Sequence, residues 1–159
     1  MKSSQIEWIG DNTIEISGNI CEYSTFSADF SKFNDEVWIV FKDIVGINSC
    51  GVREWLNAIK KTNTKIHFVD VPAILMKQYS MIFDFFGTRP IIESFEVFYV
   101  CEQCEYEEQR ILKVSEEISM DHYGHLTSPE FVCEKCNIPL IFDHDPNSYF
   151  FFLKNSHSV

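Results

Sequence analysis

The sequence lacks any apolar run of membrane-spanning length. Even residues 37–45 are interrupted by Lys42 and Asp43, far short of the roughly 20 apolar residues a spanning helix requires. The opening MKSSQIEWIG has no continuous apolar segment of signal-peptide type, so the expected location is the cytoplasm. Basic residues are scarce, 13 Lys and Arg against 24 Asp and Glu. They are scarcest late in the chain: residues 1–100 hold 9 basic against 13 acidic side chains, and residues 101–145 hold 3 against 11. Binding to a phosphate backbone depends on Lys and Arg. Neither nucleic acid nor an anionic membrane surface is therefore expected as a partner. A phosphate loop, a nucleotide-binding glycine fingerprint and a Ser-His-Asp order are also lacking, so no catalytic constellation is visible and no enzymatic activity is expected. There is no internal repeat and no low-complexity linker.

What is present is a chain of 159 residues, 45% apolar, enough for a packed core in one domain, alone or with a small appendage. Its organising stretch is residues 37–56, VWIVFKDIVGINSCGVREWL. The apolar run at residues 37–41 does not alternate, which predicts a strand covered on both faces. Val52, Trp55, Leu56 and Ile59 recur at i, i+3, i+4 and i+7, the stripe of a helix lying on that sheet. Asn48-Ser49-Cys50-Gly51 stands between strand and helix.

Around this unit, residues 6–9 and 13–20 read as two strands joined by Gly10-Asp11-Asn12. Phe26, Phe30 and Phe33 predict a short helix with Ser24 or Thr25 as N-cap. Residues 65–71 read as a buried strand, and Pro72 opens a helix whose apolar face runs through Leu75, Ile82 and Phe86 to a terminating Gly87. Residues 91–100 supply a last strand, with Phe95, Val97 and Tyr99 on one side. The order β-β-α-β-α-β-α-β predicts an α/β fold, a mixed sheet with helices packed on it.

At residues 45–52, VGINSCGV, the turn resembles the signature of STAS domains, named for sulfate transporters and anti-sigma factor antagonists. Those domains show an apolar strand, an Asp-Ser-Ser/Thr-Gly type of turn and then a helix. The resemblance covers residues 6–100 and implies a STAS-like domain over residues 1–100. It also implies a non-enzymatic role in regulatory protein–protein interaction, with an anti-sigma factor-like kinase as the kind of partner. The Ser two residues before the Gly, the phosphoacceptor in anti-sigma factor antagonists, aligns with Ser49. The implied binding surface is Asn48, Ser49, Cys50, Gly51 and Arg53. One position departs from the pattern: Asn48 replaces the family's Asp. Phosphate at a helix N-terminus would meet free N–H groups and the positive end of the dipole. A simpler reading makes Asn48-Ser49 a capping turn. Cys50 has no His or Asp nearby in sequence to activate it as a nucleophile and reads as a small residue packed at the helix start.

Residues 101–159 form a second unit of different composition. Cys101-Glu-Gln-Cys104 and Cys133-Glu-Lys-Cys136, separated by 28 residues, have the spacing of a zinc ribbon, a small β subdomain holding Zn²⁺ in a closed Cys₄ site. Four protein ligands leave no position for water, so the expected role of zinc is structural. The alternative is a redox or zinc-sensing protein, each Cys-x-x-Cys pair closing as a disulfide when metal is lost. His122 and His125 read as members of a solvated loop, and His67 as a hydrogen-bonded core histidine. Residues 149–153, YFFFL, are too apolar to stay in water and are expected to fold back.

Overall fold

A computed structural model describes residues 3–156, so residues 1–2 and 157–159 of the two expected domains lie outside the described residues. Contacts divide the chain into two compact units, the first ending at Ser94 and the second beginning at Phe95.

The first unit is built on a five-stranded mixed sheet in the order β1-β2-β3-β4-β5. Its strands are β1 (Gln5–Gly10), β2 (Thr13–Ile20), β3 (Glu36–Ile47), β4 (Lys65–Val69) and β5 (Ile91–Ile92). β1 runs antiparallel to β2, and the β2–β3, β3–β4 and β4–β5 pairs are parallel. Three helices, α1 (Phe26–Phe30), α2 (Ser49–Lys61) and α3 (Ala73–Met81), supply the connections.

The core is organised by Trp55 of α2, which is fully buried. Its indole N–H donates to the Phe85 carbonyl at 2.8 Å. Phe26 and Phe30 of α1 meet it edge-on at 5.2 and 5.6 Å, and Phe41 of β3 lies at 5.9 Å. Such edge-to-face aromatic pairs add about 0.5–1.5 kcal/mol each beyond burial.

Three expectations change here. β3 alternates: Val37, Ile39 and Phe41 are buried, while Trp38 and Val40 are only half-buried. The second face of the sheet is shielded differently, by Trp38 stacked on His67 at 4.4 Å, so an unbroken apolar run does not require cover on both faces. The buried face of α2 is Gly51, Trp55, Ala58 and Ile59, leaving Val52 and Leu56 half-buried. α3 stops at Met81 instead of reaching Gly87; Ile82 is extended, and Phe85 and Phe86 enter the core from the following turn.

His67 is a hydrogen-bonded core histidine. Its two ring nitrogens lie 2.6 Å from Glu93 and 2.8 Å from Glu36.

The stretch expected as one last strand is two. Ile91–Ile92 closes the first sheet on β4, and β6 (Ser94–Val100) belongs to a separate three-stranded sheet, β10-β6-β7, with β7 (Glu107–Lys113) and β10 (Ile141–Phe142). The contacts thus divide after Ser94, whereas the sequence draws the boundary after residue 100. Composition changes at Cys101, but the sheet changes where Glu93 separates β5 from β6. The second unit also contains α4 (Val114–Glu117), the pair β8 (Ser119–Met120) and β9 (Leu126–Thr127), α5 (Pro146–Tyr149) and α6 (Phe151–Ser156). The aromatic tail folds back on this unit's own sheet: Phe150 and Phe152 pack on Phe95 at 5.5 and 5.6 Å, and the Tyr149 hydroxyl donates to the Glu96 carbonyl at 2.9 Å.

Candidate functional site

The two Cys-x-x-Cys segments fold into the same turn. In the first, Cys101 N–H donates to the Tyr106 carbonyl at 2.8 Å, and Glu105 N–H returns to the Cys101 carbonyl at 2.9 Å. In the second, Cys133 N–H donates to Ile138 at 2.8 Å and Asn137 N–H to Cys133 at 2.9 Å. Each turn sets a left-handed residue directly after its second cysteine, Glu105 with φ 56° and Asn137 with φ 59°. The first turn follows β6; the second is closed by a Val132–Pro139 antiparallel bridge. Tyr99 and Phe131, each two residues before the first cysteine of a turn, meet edge-on at 5.0 Å, and Arg110 lies over Phe131 at 3.8 Å.

The result is one cluster. The sulfurs of Cys101, Cys104, Cys133 and Cys136 all lie within 4.8 Å of one another, and none is in a disulfide. Cys101 stands 3.3 Å from Cys136, Cys104 3.6 Å from Cys133, and Cys136 3.8 Å from Cys104. Four sulfurs held tetrahedrally at about 2.3 Å from one ion lie about 3.8 Å apart, so the donor set fits a thiolate-bound metal. The backbone N–H of Cys104 holds the Cys101 thiol down at about 6, whereas hydrogen bonding to Cys101, followed by burial, pushes Cys136 up to about 12. Without metal the cluster retains protons; a bound cation takes their place. Cys101 and Cys133 are fully buried, Cys136 half-buried and Cys104 exposed.

The other candidate lies at the start of α2. Asn48 is its N-cap: the side-chain oxygen accepts from Gly51 N–H at 2.7 Å, and the amide nitrogen donates to Glu22 at 2.9 Å. Asn48 therefore does the capping, and Ser49 begins the helix in an exposed position. Arg53 is also exposed and Cys50 partly so. Gly51 is buried against Ile20 and Cys21, so it shapes the turn and is not part of an accessible binding surface. Sequence reasoning missed Glu22. Its spacing from Asn48 carries no signal, and only the parallel β2–β3 pairing brings the two together.

His125 accepts a place in an exposed Asp121 turn, with Nδ1 3.2 Å from the carboxylate, and neither it nor His122 joins the sulfur cluster. Among the described residues no helix is long and apolar enough to cross a membrane. No family model matches the chain, and neither does any curated protein or solved structure.

Proposed function

We propose that the protein is a non-enzymatic regulatory interaction module resembling an anti-sigma factor antagonist, with a structural zinc ion bound by Cys101, Cys104, Cys133 and Cys136. The observation that carries the regulatory reading is the division of labour between Asn48 and Ser49. Because Asn48 satisfies the helix N-terminus, the Ser49 hydroxyl is not committed to capping and stands exposed on the first turn of a 13-residue helix. A phosphoryl group there gains the positive dipole end and adds negative charge next to the Asn48 that binds Glu22, within the surface a protein partner would cover. That surface comprises Asn48, Ser49, Cys50 and Arg53, and the partner is an anti-sigma factor-like kinase.

The zinc reading rests on the soft, four-thiolate donor set, which suits Zn²⁺ and leaves no open coordination position. In small modules such an ion contributes about 10–16 kcal/mol to folding, which suits an acidic segment with a small core.

Native mass spectrometry of the protein isolated from its own cells under reducing conditions tests both. One zinc, a phosphate lost in Ser49→Ala, and a partner released by Ser49→Asp are the expected results. A partner whose affinity is unchanged by Ser49→Asp and by Arg53→Glu would overturn the regulatory reading. A second reading, redox or zinc sensing, is favoured by the exposure of Cys104 and the partial exposure of Cys136.

A further inference from the structure

The far end of α2 borders a feature that the regulatory reading does not use. A cleft of about 550 Å³ opens between the end of α2, the loop into β4 and the turn after α3, within the size range of small-molecule sites. Its floor is apolar and buried: Ile59, Ile66 and Phe86 are each at most 8% exposed. Its rim is cationic. Lys60, Lys65 and Arg89 line it against a single carboxylate, Asp84, in a chain whose net charge is −11.

Two of the three cations, Lys60 and Arg89, are available, whereas Lys65 is held by Glu36 at 2.6 Å. Lys60 meets Asp84 only at 3.8 Å, with the two side chains 61% and 43% exposed, a pairing of little strength. Lys65 shares Glu36 with His67, and Arg89 is exposed at the cleft mouth. The carbonyl end of α2 disfavours an anion, but Lys60 and Lys61 in its last turn reverse that sign. The walls are preformed: the Thr64 hydroxyl donates to the Asn34 carbonyl at 2.8 Å, Thr64 N–H to Thr62 Oγ1 at 3.2 Å, and Gly87 takes φ 93° to close its turn on Asp84.

We infer that this cleft is a binding site for a small phosphorylated molecule, whose phosphate is held by Arg89 and Lys60 and whose apolar part lies over Phe86. The guanidinium fork matches phosphate oxygens two at a time. The 13 residues of α2 span about 20 Å, so this site and the Ser49 turn occupy opposite ends of one helix and can fail independently.

The test is a ¹⁵N-resolved NMR titration of the full-length protein with inorganic phosphate and then pyrophosphate at low ionic strength. The expected result is saturable shifts confined to residues 59–66 and 84–90, tighter for pyrophosphate, with affinity reduced about tenfold in Arg89→Ala and also reduced in Lys60→Ala. Both replaced side chains are exposed, and unchanged resonances elsewhere verify the fold. Shifts that do not saturate, that spread over the surface, or that persist undiminished in both variants overturn the inference.

Discussion

The first turn of α2 lies against the end of β2 so closely that a Cβ on Gly51 would collide with the Ile20 carbonyl oxygen and stand 2.8 Å from the Cys21 nitrogen. The same carbonyl accepts the Asn48 N–H at 3.1 Å. The position of Ser49 is thus set by a backbone contact that a side chain would break. Gly51→Ala is expected to destabilise the first unit by at least about 1–3 kcal/mol, read as a lower urea midpoint. Gly10→Ala is the control: its Cβ would meet nothing closer than Thr13 at 3.7 Å, and its effect should stay within about 0.5 kcal/mol.

Asn48 serves two groups at once, and its replacements should separate them. Asn48→Ala loses the cap, a cost of about 1 kcal/mol. Asn48→Asp keeps the cap but sets a carboxylate against Glu22, in place of the amide that now donates to it. That amide, with a further backbone hydrogen bond, holds the Glu22 carboxyl below its ordinary value. A depressed carboxyl stabilises the fold fully above the ordinary Glu range, near 4.3, and that contribution is lost as pH falls through the lower folded value. In Asn48→Ala the Glu22 titration, followed by side-chain carboxyl NMR, should move up toward the ordinary range. A titration that does not move would assign the depression to the backbone alone.

Much of this was legible because local signals and the fold agree. The strand and helix order of the first unit, the core roles of Trp55, Phe26 and Phe30, and a capping turn at Asn48-Ser49 follow from apolar spacing and turn chemistry, although which of the two residues caps does not. The four cysteines were legible because a Cys-x-x-Cys turn carries its geometry in its spacing. What was not legible came from longer range. The end of α3 at Met81 reflects Phe85 and Phe86 reaching Trp55 from a turn, which satisfies the same apolar pattern as a longer helix. The burial of Gly51 depends on where β2 ends, and the split between β5 and β6 depends on which strands lie alongside each.

Removing metal should expose the uneven acidity of the thiols. Cys101, held down at about 6 by the Cys104 N–H, favours the folded metal-free protein as pH rises from about 6 toward the ordinary thiol value near 8.5, where the unfolded chain holds more protons. Cys136, pushed up to about 12 by its bond to Cys101, acts oppositely: its contribution is present below about 8.5 and lost as pH rises toward 12. The chelated, reduced protein should therefore show a stability maximum near the ordinary thiol range. Zinc-loaded protein should gain stability with pH until protons no longer compete with zinc for its thiolates. Denaturation of the two forms across this range is the check, and a metal-free profile that only falls with pH would contradict the assignment to Cys101.

Oxidation should begin at one sulfur and cross between the turns. Cys104 is exposed, whereas Cys101 and Cys133 are buried, so peroxide reaches Cys104 first and oxidises it to the sulfenic acid with release of one water. A second thiolate then attacks that sulfur; the S–O bond breaks, a second water leaves, and a disulfide remains, the two electrons having reduced one peroxide. Cys133 at 3.6 Å and Cys136 at 3.8 Å stand on the other turn; Cys101, on the same turn, also lies within 4.8 Å but is fully buried, and Cys136 is the most accessible of the three. Loss of two thiolates leaves too few ligands for a tetrahedral zinc ion, so metal release should follow disulfide formation one for one. Peptide mapping after brief peroxide exposure should find Cys104–Cys136 ahead of Cys104–Cys133, and Cys104→Ser should slow zinc release. A first disulfide within either Cys-x-x-Cys turn, or zinc release unaffected by Cys104→Ser, would show that access to solvent does not govern the order.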